Sequence, residues 1–278
     1  MDRIRKAIDF ARQDRARLQD LNSAEPRASN SSAPTRDEAS DAFSGVIEYT
    51  KTRIYVPSPA LLESNRVIDP SRTDPVAAAF RILRTQVLQR MDGKGWRSLA
   101  ALSPNVDDGK TTTAINLAVS LAYDHRHTVL LVDCDLKRPS IAKTLGIVPE
   151  LGLDDVLTGD ARVEDCLYHP EGFERLVILP TRRPLSNSSE ALSGPKAHEL
   201  IRELRGRYPE RIIVFDLPPI IGSDDALAFL PMVDCGLMIV SEGLTRREDL
   251  LRSMELLIKT PIVGTVLNRS TNAERAYA

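Results

Sequence analysis

The chain has 278 residues, 42% of them hydrophobic, with 37 Lys and Arg against 39 Asp and Glu. That length holds one α/β domain of roughly 200 residues plus an extension. A net charge of −2 excludes a global drive toward nucleic acid or anionic lipid, and Cys134, Cys166 and Cys235 are too scattered for a metal cluster.

Residues 1–21 read as a charged helix whose thin apolar stripe, Ile4, Ile8, Ala11, Leu18 and Leu21, follows helical spacing. The stripe suits either a partner surface or a solvated helix. This start has no apolar h-region, and no stretch holds the roughly 20 apolar residues that cross a bilayer. A cytoplasmic protein is expected, peripheral at the inner face of the membrane only through a partner. Residues 22–42 are rich in Ser, Ala, Pro, Asn and Asp. They bury too little apolar area to offset chain entropy and are expected to be a disordered linker. Residues 43–73 carry Val46-Ile47 and Ile54-Tyr55-Val56, then a helical turn at 58–65. They are expected to lie on the main domain as an arm.

From Asp74 the pattern becomes regular. Asp74 and Pro75 form an N-cap and a first helical position, and the helix is expected to run to about Arg90 with Phe80, Leu83, Val87 and Leu88 inward. Strands are expected at 98–103, 128–133, 176–179, 211–216, 236–241 and 262–268. Helices are expected at 111–123, 139–145, 196–207, 224–230 and 246–258. The runs VLLV before Asp133 and IIVF before Asp216 are apolar throughout, as in a parallel sheet covered on both faces. The alternation implies a doubly wound, mostly parallel α/β domain over 74–272, with ligands at the carboxyl ends of its strands. A short tail, 273–278, follows.

Three strand ends carry chemistry. The first reads Ser103-Pro104-Asn105-Val106-Asp107-Asp108-Gly109-Lys110-Thr111-Thr112-Thr113, after a strand and opening a helix, as a phosphate-binding P-loop requires. Amides of Asp108, Gly109, Lys110, Thr111 and Thr112 are expected to face phosphate oxygens. Lys110 reaches the β- and γ-phosphates, and Thr111 offers a hydroxyl to magnesium. Pro104 stands where the usual first glycine falls, and Asp107 and Asp108 place two carboxylates in an anion-binding loop. The second strand delivers Asp133 and Asp135, which point the same way in an extended chain and suit magnesium, its waters and an incoming hydroxyl. The third, Arg211 to Asp216 before Leu217-Pro218-Pro219, has Walker B form, with Asp216 as a magnesium ligand.

Together these elements resemble the bacterial tyrosine kinase family, cytoplasmic P-loop proteins attached to capsule and exopolysaccharide synthesis. Its hhhhDxDxR strand matches Val129–Lys137, and its D-x-P-P strand matches Ile212–Pro219. Phe80-Arg81-Ile82-Leu83-Arg84-Thr85 and Ala114-Ile115-Asn116-Leu117-Ala118 are similar to flanking family helices, and Val266-Leu267-Asn268 to the final strand. The resemblance implies ATP and magnesium as cofactors. It makes Lys110, Asp133 and Asp135 catalytic, Thr111, Asp133 and Asp216 metal-binding, and Asn268 a neighbour of the base. It implies a homo-oligomer and a membrane chain-length-determinant partner, without nucleic acid or a membrane span of its own. Four departures stand out. Val106 and Asp107 replace Pro and Gly in the loop, and Lys137 replaces Arg. Ala78 replaces the Glu of an oligomerisation motif that keeps Arg81 and Arg84. The tyrosine cluster of the tail shrinks to Tyr277, the phosphoacceptor candidate.

Three functions are weighed on these residues. One is a tyrosine autokinase regulating exopolysaccharide polymerisation and export. Another is a catalytically weak ATP-binding scaffold gating the same machinery. The third is a partition-type ATPase, disfavoured because its signature lysine position holds Asn105. The basic cluster Thr245-Arg246-Arg247 is read as a helix start near the nucleotide, at a subunit contact or in solvent. His125, His127, His169 and His198 are read as structural or surface residues.

Overall fold

The apolar runs before Asp133 and Asp216 lie side by side at the centre of one sheet. The computed structural model describes residues 52–207 and 210–270. The expected helix 1–21, linker 22–42, first part of the arm at 43–51 and tail 273–278 with Tyr277 lie outside the described residues.

The strands are β1 (Arg53–Tyr55), β2 (Ser98–Leu102), β3 (Thr128–Asp133), β4 (Tyr168–Pro170), β5 (Leu176–Leu179), β6 (Arg211–Asp216), β7 (Cys235–Ser241) and β8 (Ile262–Asn268). The helices are α1 (Pro59–Ser64), α2 (Pro75–Asp92), α3 (Lys110–Ala122), α4 (Ile141–Leu145), α5 (Leu153–Thr158), α6 (Ser188–Ser193), α7 (Pro195–Arg207), α8 (Asp225–Phe229) and α9 (Arg247–Leu256). The sheet order is β1-β4-β5-β3-β6-β2-β7-β8. Neighbours are parallel except β4 and β5, which run antiparallel.

Successive strand residues face opposite sides, so one strand feeds two cores. Leu99, Ala101, Val129, Leu131, Ile212 and Val214 pack with Val87, Leu88 and Met91 of α2 and with α3. Ala100, Leu102, Leu130, Val132, Ile213 and Phe215 pack with Leu200, Ile201 and Leu204 of α7 and Phe229 of α8. Each fully buried Leu, Ile or Phe contributes about 1.5–3 kcal/mol relative to exposure, so this double layer is the main stabilising element.

Local signals set the helix starts. Asp74 accepts from Ala77 N at 2.9 Å, and Pro75 opens α2, which reaches Asp92 rather than Arg90. Phe80 and Leu83 are only half-buried against the core. Helix α4 begins at Ile141, because the amides of Ser140 and Ile141 are bound by Asp133 instead of continuing a helix from Pro139.

Some elements were not expected. The segment read as an arm contributes β1, paired with β4, so the sheet begins before residue 74. Helices α5 and α6 and strand β4 are further additions. Asn116 ties the arm to α3, donating to Arg66 O at 2.9 Å and accepting from Ile68 N at 2.9 Å. Arg81 donates to the carbonyls of Arg72 at 2.8 Å and Pro70 at 3.3 Å, and Arg84 to that of Ser120 at 3.0 Å. Both therefore brace this chain's own arm and α3. All three cysteines are buried and unbridged.

Candidate active site

Strand β6 lies between β2 and β3, although it follows both in sequence. The order reverses there, and such a switch point leaves a crevice at the carboxyl ends of the strands. Asp133 and Asp216 are paired across β3 and β6, and Asp216 is level with Ala101 of β2. Three predicted elements thus meet at one edge of the sheet.

The loop from β2 enters α3 through Gly109, whose φ is 85° and which makes no side-chain cap bond. The first amides of a helix have no partner inside it, so those of α3 are open to an anion, aided by the helix dipole. Only glycine fits position 109: a Cβ there would lie 1.9 Å from Asn268 Nδ2. Asp107 takes the left-handed conformation at φ 63°. Asp tolerates that region better than most residues but worse than glycine, which accounts physically for the glycine seen in the related motif. Thr112 is half-buried on the first turn of α3.

Lys110 and Thr111 converge on Asp216. Lys110 Nζ is 2.5 Å from Asp216 Oδ1, and the Thr111 hydroxyl donates to Asp216 Oδ2 at 2.6 Å. Lys110 also lies 4.0 Å from Asp135 Oδ2. Lys110 was expected to face phosphate; here its charge is neutralised by the two strand-end acids.

Asp133, fully buried, sits differently. Its Oδ2 accepts from the amides of Ser140 and Ile141, both at 3.0 Å. Its Oδ1 is buried with no hydrogen-bond partner. Burial, with the charge of Asp216 second, pushes its carboxyl up to about 8. Burial also raises Asp135, opposed by Lys110 and reinforced by Asp216. Beside them Cys134 is held well above the ordinary thiol range by burial and the surrounding acids.

Sequence reasoning missed part of the site. The Asp108 carboxylate does not face the anion side; it turns inward to Asn105 N and the Thr245 hydroxyl. Asn268 donates to Asp108 O at 2.9 Å and accepts from Arg269 N at 2.9 Å, so its amide supports the loop. Lys137, standing at the family's arginine position, is drawn to Asp225 at 2.9 Å and Ser223 at 3.0 Å. Its target, Asp225, is buried and also held by Ser188. Among the histidines, His127, His169 and His198 approach backbone carbonyls. A separate cavity of about 720 Å³ lies at the other end of α3, between the arm and the turn at Phe173, and includes none of the site residues.

A model of the AAA domain family matches residues 107–240. The crystal structure of the VpsO kinase domain is 32% identical, covering 71% of this chain and 96% of that one, with a TM-score of 0.63. The chain belongs to the bacterial tyrosine kinase family. Tyrosine-protein kinase YwqD of Bacillus subtilis is 28% identical over 68% of this chain and 79% of its own length. Succinoglycan biosynthesis transport protein ExoP of Rhizobium meliloti is 31% identical over 74% of this chain, which spans 26% of ExoP. The family explains the order of the three strand ends, and the fold is that of a P-loop nucleotide-binding protein. No helix among the described residues is long and apolar enough to cross a membrane.

Thr111 and Asp216 carry hard oxygen donors of the kind that magnesium selects, and Asp133, paired with Asp216 across β3 and β6, has an oxygen without a hydrogen-bond partner. No group of three or more His, Cys, Asp or Glu side chains placed to hold a metal occurs among the described residues.

Proposed function

We propose that this chain transfers the γ-phosphoryl group of magnesium-bound ATP to protein tyrosine, as the kinase component of an exopolysaccharide polymerisation and export machinery. The observation that carries the reading is the convergence of Lys110 and Thr111 on Asp216, level with the open oxygen of Asp133. The amides opening α3 hold the β- and γ-phosphates. Lys110 would exchange Asp216 for phosphate oxygens, and Thr111 and Asp216 would hold magnesium, which would supply charge neutralisation and alignment of the phosphoryl group. With divalent charge in the crevice favouring its carboxylate form, Asp133 would accept the tyrosine hydroxyl proton as the tyrosine oxygen bonds to the γ-phosphorus and the bridging oxygen leaves with ADP. Asp135 supports the charge balance at Lys110. Tyr277 is the acceptor in the chain itself, reached on a neighbouring copy of a homo-oligomer. A membrane chain-length-determinant protein is the activating partner and holds the kinase at the inner membrane face.

Purified protein with magnesium and ATP should gain anti-phosphotyrosine reactivity, and Lys110→Ala should abolish it. Absence of signal in the unaltered chain, with the partner's cytoplasmic tail present, would overturn the reading. A second reading, a catalytically weak ATP-dependent scaffold, is favoured by Asp107, an acidic residue at φ 63° on the exposed rim of the loop. It expects ATP binding without phosphotyrosine.

A further inference from the structure

The phosphate loop contains two adjacent acids with opposite fates. Asp107 is exposed, whereas Asp108 is 2% exposed. One Asp108 oxygen accepts from Asn105 N at 2.8 Å and the other from the Thr245 hydroxyl at 2.7 Å. Thr245 Oγ1 in turn accepts from Ser241 N at 2.8 Å, which fixes its orientation and commits its proton to the carboxylate. Ser241 ends β7, so the hydroxyl rides on a rigid strand end. A second strand end acts on the same loop: Asn268 donates to Asp108 O at 2.9 Å, and Arg269 donates to Asp107 O at 2.7 Å. Asn105 closes the third side by donating to Asp249 at 3.0 Å. Arg269 itself has φ 59°, so two left-handed non-glycine residues, Asp107 and Arg269, are joined by one hydrogen bond. Such conformations persist where the surroundings over-determine them.

We infer that Thr245 is a positioning residue for nucleotide binding: its hydroxyl holds the Asp108 carboxylate inside the protein, so that the loop presents amides, and not a negative charge, to the triphosphate. The inference rests on residues 103–113 being a phosphate loop. Without the hydroxyl, a buried carboxylate oxygen loses its donor. Asp108 immediately precedes the N-cap of α3, whose first amides have no partner inside the helix and are the groups the phosphates need. Asp108 then competes with ATP for them, and its charge opposes the approach of the anion.

The test uses the full chain and measures ATP affinity by calorimetry, alongside turnover at saturating ATP. Thr245→Val should weaken ATP binding about tenfold, with saturated turnover within about twofold of the unaltered chain. Thr245→Ser, which keeps the donor, should restore affinity. Adding Asp108→Asn to Thr245→Val should recover most of the loss, because a neutral side chain no longer opposes the anion. A merely structural role for Thr245 does not produce that rescue. Thr245→Ala replaces valine if the bulkier variant fails to fold. Unaltered affinity in a folded Thr245 variant, or absence of rescue by Asp108→Asn, would overturn the inference. If the unaltered chain binds no nucleotide, the phosphate-loop reading itself fails, an outcome the variants cannot mimic.

Discussion

Asp133 and Asp216 are both fully buried and stand opposite each other on β3 and β6, yet their surroundings differ. Asp216 has a lysine on one oxygen and a threonine hydroxyl on the other. Asp133 has two backbone amides on one oxygen and no partner on the other. Two acids close together in a dry crevice cannot both ionise cheaply. The cationic partner goes to Asp216, and the proton to Asp133. Identical side chains at equivalent strand ends thus sit in unlike surroundings, which suits the proposed roles of Asp216 as an anchor and Asp133 as a proton carrier.

The contrast is tested most strongly at its anchored side. Removing one partner of a buried ion pair costs about 3–5 kcal/mol, partly offset here by relief of the repulsion from Asp133. That cost falls on stability; separately, because Asp216 is the proposed magnesium anchor, Asp216→Asn is expected to reduce magnesium-dependent ATP affinity on the order of 100-fold. Unchanged affinity in magnesium titrations would remove Asp216 from the metal site.

Asp133→Asn should act mainly on chemistry, lowering phosphoryl transfer by about 10²–10⁴ while ATP still binds. It also carries a pH signature. The folded carboxyl is pushed up to about 8, far above its unfolded value near 3.9. Between those values the native state holds a proton that the unfolded state has released. Stability consequently falls as pH rises through that window and levels off above about 8. In buffer without metal or nucleotide, urea unfolding should show the asparagine variant gaining on the unaltered chain from pH 5 to pH 9. Parallel profiles would mean that Asp133 is already ionised near pH 5.

The smallest effect is expected at the loop rim. Asp107→Gly removes a charge facing the incoming anion and a Cβ from a left-handed position, which together should tighten ATP binding a few-fold, with stability shifted by about 1 kcal/mol or less. Weaker binding would assign Asp107 a positive role.

How much of this was legible follows from range. Thr128–Asp133 and Arg211–Asp216 declare themselves through apolar runs, because burial on both faces leaves a local mark. Arg53–Tyr55 and Tyr168–Pro170 are three-residue strands of mixed polarity, defined by pairing with each other and, for the second, with β5, so no local pattern marks them as strands. The same division runs through the site. Gly109, Lys110, Asp133 and Asp216 were legible as motifs at strand ends. The inward turn of Asp108 depends on Thr245, 137 positions away, and the support of Asp107 on Arg269, 162 positions away. Spacing along the chain carries no trace of such contacts. In the basic run at 245–247, the atom that reaches the loop is the threonine oxygen.

The AAA-domain match ends at residue 240, one position before Ser241, where the struts from β7 and β8 to the loop begin. A fragment ended at that border would keep the phosphate loop and the two aspartate-tipped strands and lose the scaffolding that shapes the first of them. Grafting the loop into a relative therefore calls for transplanting both halves together, since the motif supplies the letters and the distant strand ends supply the frame.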